Sequence, residues 1–295
     1  MKIITANYKD LEKHNFWIKI FRIFSVPLLN NLPSSLIKKI MKRSNRDAAD
    51  VVDNVGSAKA MEVIYAKYKN KPFSEGFVRG ITNIFWHHFL SQPKGLRNRL
   101  KIVQNVIERE VENIIDHKES REVIKILTVG GGSGRSVMHP LYKIIKEHNY
   151  KNVKIFNLDK STQSITLSKQ AAKEYNMRNN FEWINDDAKN IKSLFSDDSM
   201  DIIEMIGLLD YLSEEQGIQI IKQIYNILKK GGVFIVSNIH PNSEMSFIYK
   251  TGWPKLYYRT PEQIADILEE SGFFLENGEI VIEPLKNHII AVIKK

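Results

Sequence analysis

From residue 1 to about 118 the apolar residues return at helical spacing: Phe16, Ile20, Ile23 and Phe24 form one stripe, and Leu100, Val103, Ile107, Val111 and Ile114 form another. Pro27, Pro33, Gly56, Pro72 and "SQPKG" at 91–95 punctuate this pattern, which predicts about five helices joined by short loops and no strand. At residue 123 the texture changes. Short apolar runs, "VIKILTV" (123–129), "VKIFNLD" (153–159), "NFEWIN" (180–185), "MDIIEMI" (200–206) and "GVFIVSNI" (232–239), now alternate with amphipathic stretches. The stretch after Leu212 opens on Ser213 with Gln216 three places on, a capping box, and closes at "KKGG". "RTPEQIADILEESGF" opens on Thr260 and Pro261 and stops at Gly272, and two further strands are expected around 273–282 and 288–294. The alternation predicts an α/β fold: a mostly parallel sheet with helices on both faces over residues 121–295, behind an all-helical part over residues 1–120.

Composition narrows the classes. With 43% hydrophobic residues in 295, the chain has enough apolar side chains for one large core or two ordinary ones. No run of about 18 uncharged apolar residues occurs, so no membrane span is expected. Phe16 to Leu29 comes nearest to a signal peptide, but Lys19 and Arg22 interrupt it and no small-residue cleavage site follows, so a cytoplasmic location is expected. The absence of cysteine excludes disulfides, thiolate metal sites and a cysteine nucleophile. His87 and His88, being adjacent, point to different faces of a helix, and no "HExxH" spacing occurs, so no metal is expected. The net charge of +9 is unevenly placed: residues 1–46 hold ten basic and two acidic side chains, while residues 121–295 hold 22 of each. Such a basic head suits an anionic membrane surface, a nucleic acid, or simply a solvated lysine-rich face.

The chemistry concentrates in "LTVGGGSGRS" (127–136). Gly130, Gly131, Gly132 and Gly134 follow an apolar run and open a helical stretch, the arrangement by which α/β folds bring a ligand against bare backbone and a helix N-terminus. Arg135 stands where a dinucleotide fingerprint needs glycine or alanine, and no Gly-Lys-Ser/Thr follows, which argues against NAD, FAD and a P-loop. Asp159, 25 residues past Gly134 at the end of the next strand, is placed to accept both hydroxyls of a ribose. Asp187 and Ala188 follow the third strand, where an acid can accept from an adenine amine.

These segments resemble the class I S-adenosylmethionine-dependent methyltransferases over roughly residues 120–295. The resemblance rests on "VGGGSG", "NLDKS", "NDDA", "MDIIEMIGLLDYL" and "ILKKGGVFIVSNI". It implies a Rossmann-like seven-stranded sheet whose last strand is antiparallel, with S-adenosylmethionine as cofactor. The glycines would approach the methionine part, Asp159 with Lys160 the ribose, and Asp186, Asp187 and Ala188 the adenine, with Met205, Ile206 and Gly207 beneath. "NIHPNSEMSFIYKTGWPKLYYRTPEQ" also resembles a bacterial subgroup of uncharacterised methyltransferases with a helical N-terminal addition.

Ligands of open α/β sheets bind beyond the carboxyl ends of the strands. The fourth strand delivers Asp210 there and the fifth delivers Asn238, His240 and Asn242. His240 and Asp210 are the candidate bases for an acceptor that must lose a proton. Trp253, Tyr257 and Tyr258 in "GWPKLYYR" are candidate walls of a substrate pocket. The expected reaction is methylation of a small molecule under a helical cap. Two alternatives stand beside it: transfer or cyclisation of the aminocarboxypropyl group of the same cofactor, releasing methylthioadenosine, and a binding role for the basic head. Residues 14–46, apolar, aromatic and basic together, are the candidate peripheral membrane contact, with nucleic acid the weaker partner. Oligomeric state is not legible.

Overall fold

The chain was analysed as a computed structural model, which describes residues 1–68, 71, 73–74, 76–117, 122–148 and 150–295. The expected apolar runs become β2 (Ile124–Val129), β3 (Val153–Leu158), β4 (Phe181–Ile184), β5 (Met200–Ile206), β6 (Leu228–Ile239), β7 (Gly278–Ile282) and β8 (His288–Lys294), preceded by β1 (Lys2–Thr5). They form one sheet in the order β1-β7-β8-β6-β5-β2-β3-β4, in which only β8 runs antiparallel to its neighbours. The helices before the sheet body are α1 (Phe16–Asn31), α2 (Ser34–Ser44), α3 (Arg46–Asp53), α4 (Ala58–Ala66), α5 (Phe77–Phe89) and α6 (Ser91–His117). Those interleaved with the strands are α7 (Arg135–His148), α8 (Thr162–Glu174), α9 (Ile191–Leu194), α10 (Glu214–Ile227), α11 (Met245–Lys250) and α12 (Pro261–Glu270). β5 is buried along nearly its whole length, which is why it reads as a continuous apolar run and not as an alternating one. The capping box expected at Ser213 forms on α10, and Thr260 caps α12 as expected, there too with a capping box, to Gln263.

Five expectations need correction. The sheet has eight strands, not seven, and residues 1–120 are not all-helical, because Lys2–Thr5 pairs in parallel with β7 at the sheet edge. Four residues are too short for a period-two signal; the pairing, with Ala6 N donating to Ile282 O, makes the strand. Pro27 does not end a helix. It sits inside α1 at an exposed position. α10 stops at Ile227, and "KKGG" belongs to β6, whose register against β5 shifts between Met200 and Ile202. The strand expected around 273–282 starts only at Gly278, because Leu275–Asn277 forms a 3-10 turn.

Three apolar clusters hold the layers. The first packs α6 and α7 on one face of the sheet through Ile102, Val103, Ile107, Val111, Val137 and Leu141. The second packs α10 and α12 on the other through Ile220, Ile224, Ile264 and Leu268. The third, with Ile37, Met41, Val51, Ile64, Trp86 and Phe247, lies within α2–α5 and α11. Thus α6 belongs to the sheet body, and the helices with a core of their own end at α5. The junction between them is polar. Glu244, 1% exposed, accepts from Ser91 N at 2.9 Å, Gln92 N at 3.1 Å, Ser91 Oγ at 3.0 Å and Arg22 Nη1 at 2.5 Å. It thereby caps the N-terminus of α6 from a distant loop and ties α1 to both.

Because Ile107 is fully buried against the sheet, Ile107→Ala is expected to lower the unfolding free energy by about 2–5 kcal/mol in denaturant titration. Ile23→Ala, at a position 67% exposed on α1, is expected to change it by less than about 0.5 kcal/mol.

Candidate active site

At the carboxyl edge of β2 the chain makes the turn that its glycines permit. Gly130, Gly132 and Gly134 adopt φ of +64°, +55° and +74°, conformations that other residues rarely take. Gly131 is required for a different reason: a Cβ there would lie 2.1 Å from both Thr128 Oγ1 and Asn157 Oδ1, which are hydrogen-bonded to each other beneath the loop. Asp159 secures the turn from β3, its Oδ2 accepting from Gly132 N at 2.9 Å and its Oδ1 from Ser161 N at 2.8 Å. Above the loop, Glu62 of α4 accepts from Ser133 Oγ at 2.6 Å and pairs with Arg135 at 2.6 Å. Arg135, the departure from a dinucleotide fingerprint, therefore anchors the helical layer over the glycines.

Between the two layers lies a cavity of about 690 Å³. Its floor includes Gly130, Gly131, Gly132, Asp159, Lys160, Asp186, Asp187, Ala188, Ile206, Gly207 and Asp210, and Trp253 joins its wall. Asp186 and Asp187 hold their own loop, accepting from Asp187 N, Asn190 Nδ2 and Lys189 N. The opposite wall is apolar and comes from the helices: Met41, Val51, Ile64, Trp86, Leu90, Phe247 and Ile248.

Several expected site residues are elsewhere. Met205 is fully buried in the cluster with α10, because alternation along β5 turns it away from its cavity-lining neighbours Glu204 and Ile206. Gly134 faces Met138 and Ser168 inside the body. His240 does not line the cavity; its Nδ1 meets Lys286 O at 3.1 Å. Asn238 is committed to Ile239 O, Tyr257 O and Arg259 Nη1, and Asn242 to His240 O and Glu244 N. Neither Tyr257 nor Tyr258 lines the cavity, and the Tyr257 ring lies beneath Lys255 and Arg259.

Asp210, an expected base, does line the cavity, and beside it stand charges that the sequence pattern did not single out as site residues, Arg99 and Glu204. Arg99 of α6, 3% exposed, approaches Asp210 Oδ2 at 3.5 Å and donates to Tyr65 Oη at 3.2 Å, while its Nε has no partner. Burial pushes the Asp210 carboxyl up to about 6 against the opposing pull of Arg99, and its Oδ1 accepts from Ile239 N. Glu204, 2% exposed, accepts from Ser136 Oγ through Oε1 and leaves Oε2 unpaired, and burial pushes it up to about 7. Tyr211, held by Trp253 Nε1 at 2.8 Å, is pushed up to about 12 by burial and by Asp210 beside it. Arg99 and Glu204 both line the cavity, and each keeps one buried polar atom without a partner.

Comparison with known proteins agrees with this arrangement. The methyltransferase domain family matches residues 120–272, more than half of the chain. The tRNA N(3)-methylcytidine methyltransferase trm140 of Schizosaccharomyces pombe is 26% identical over 210 residues, and the match spans 66% of this chain and 65% of that protein's length. Among solved structures, a possible exported protein from Bordetella parapertussis superposes with a TM-score of 0.68 over 92% of this chain and 96% of its own, at 12% identity. Magnesium protoporphyrin IX methyltransferase from Synechocystis PCC 6803, solved with bound S-adenosylhomocysteine, gives a TM-score of 0.52 at 15% identity, over 80% of this chain and 99% of its own. By the family match over residues 120–272, the chain belongs to the methyltransferase domain family.

Proposed function

We propose that this chain methylates a small, largely apolar acceptor enclosed between the carboxyl edge of its sheet and helices α2–α5. The observation that carries this reading is the two-sided cavity: bare backbone and acids on one wall, aliphatic and aromatic side chains on the other. When bound, S-adenosylmethionine supplies an electrophilic methyl group.

The residues present fit that group. Gly130–Gly132 expose backbone to it. Asp159 keeps lone pairs free after its two backbone bonds and suits the ribose hydroxyls, while Asp186 and Asp187 suit the adenine amine. Its amino-acid end carries an ammonium and a carboxylate, and two charged residues that line the cavity suit them, Glu204 the first and Arg99 the second. Asp210, under Arg99, is the group placed to orient a polar acceptor atom or take its proton. His240 lies outside the cavity and is not assigned that role. The helices close the site and exclude water.

A tRNA acceptor is the second reading, supported by the named substrate of the Schizosaccharomyces pombe relative. Incubation of cell extract with methyl-labelled S-adenosylmethionine separates the two. Label is expected in an organic-soluble, low-mass fraction, with S-adenosylhomocysteine as co-product; label in RNA would favour the second reading.

Calorimetry with S-adenosylhomocysteine is expected to show one site of micromolar affinity, weakened by about 1.5–3 kcal/mol in Asp159→Ala. The ammonium binds the ionised form of Glu204, and protons compete for that form below about 7. Affinity is therefore expected to rise about tenfold between about pH 6 and about pH 8 and to level off above, a dependence absent in Glu204→Gln.

A further inference from the structure

Helix α1 is apolar over most of its length, "FWIKIFRIFSVPLLNN", yet only Val26 is buried. Phe16, Trp17, Phe21, Ile23, Phe24 and Leu28 are exposed, Trp17 by 75% and Phe24 by 74%. The helix meets the body through Ile18, Val26 and Leu29 and through polar side chains. Arg22 reaches Glu244, and Asn30 donates to Ser243 O and accepts from Phe247 N.

The exposed surface does not stop at α1. Phe21 and Phe85 both pack on the buried ring of Phe89, with centroids 5.2 and 4.4 Å away, so the outer face of α1 continues into that of α5. There Phe77 and Val78 are each 73% exposed, and Ile81 and Phe85 follow one and two turns on. A contiguous apolar face of this kind marks an interaction surface. Its surroundings are of one sign: residues 13–46 carry eight Lys and Arg and no Asp or Glu. Lys19 is exposed on α1, and Lys39 and Arg43 on α2, whose end is tied to α5 by Thr82 Oγ1 donating to Ser44 O.

We propose that the outward face of α1 and α5 docks on an anionic lipid bilayer, with the rings and aliphatic side chains in the headgroup–acyl boundary and the lysines and arginine among the phosphates. Hydrocarbon accepts Ile23, Leu28, Val78 and Ile81, which would give nothing to the stacked bases of an RNA, and anionic headgroups match the one-signed charge. No helix of the described residues is long and apolar enough to cross a membrane, so the contact is with the surface. It is independent of which acceptor the cavity holds.

The test is co-sedimentation of the full chain with vesicles of phosphatidylcholine alone or mixed with phosphatidylglycerol. Mixed vesicles are expected to retain the protein about tenfold better, less so at high salt, with a blue shift of tryptophan emission that Trp17→Phe removes. The double variant Trp17→Glu, Phe24→Glu is expected to lose the retention while still binding S-adenosylhomocysteine as the parent does, which shows that it is folded. Absence of retention on mixed vesicles, or retention undiminished in the double variant, would overturn the proposal. So would a concentration-dependent dimer abolished by the same substitutions, which would make a second copy of the chain the occupant.

Discussion

Glu244 sits under the helical layer with almost no solvent contact and collects four hydrogen bonds from Ser91, Gln92 and Arg22. A carboxylate so placed is tolerable only when every oxygen is engaged, so the start of α6, the loop before α11 and the middle of α1 are held in one relation to each other. A cavity with one wall from the sheet and one from the helices requires that relation. Glu62, pairing with Arg135 above the glycine turn, provides a second such fastening from α4. The two layers are thus joined by charged groups at the rim, while their apolar side chains are left to shape the space between.

That division of labour explains the unusual polarity of the interior. Arg99 and Glu204 each keep one buried polar atom without a partner, which costs stability. Opposite charges presented to the same space favour a molecule that carries both signs at one end. The remainder of the wall, from Met41 to Phe247, is apolar.

Much of the sheet body was legible in the sequence, because its signals are local: glycines after an apolar run, an acid at the end of each of the next two strands, a capping box on α10 and a Thr-Pro start on α12. What escaped depends on distant partners. β1 is a strand only because β7 is there to pair with it. Arg99 lies in a helical stretch of mixed polarity and reads as a solvent charge, and nothing nearby in sequence says that Asp210 and Tyr65 surround it. Glu204 did leave a trace, since an acid in the middle of "MDIIEMI" contradicts the buried strand around it. His240 shows the converse error. Its position at the end of β6 is right for chemistry, but its ring turns to the carbonyl of Lys286.

The edge strand has an implication for how the molecule is made. Lys2 aligns with Glu279 and Thr5 with Ile282, so β1 is synthesised long before β7, the neighbour it pairs with. Sequence-distant parallel pairing of this kind closes late and slowly. During synthesis Ile3 and Ile4 stay uncovered while the inner strands assemble, and the sheet gains its final margin only as an act of completion.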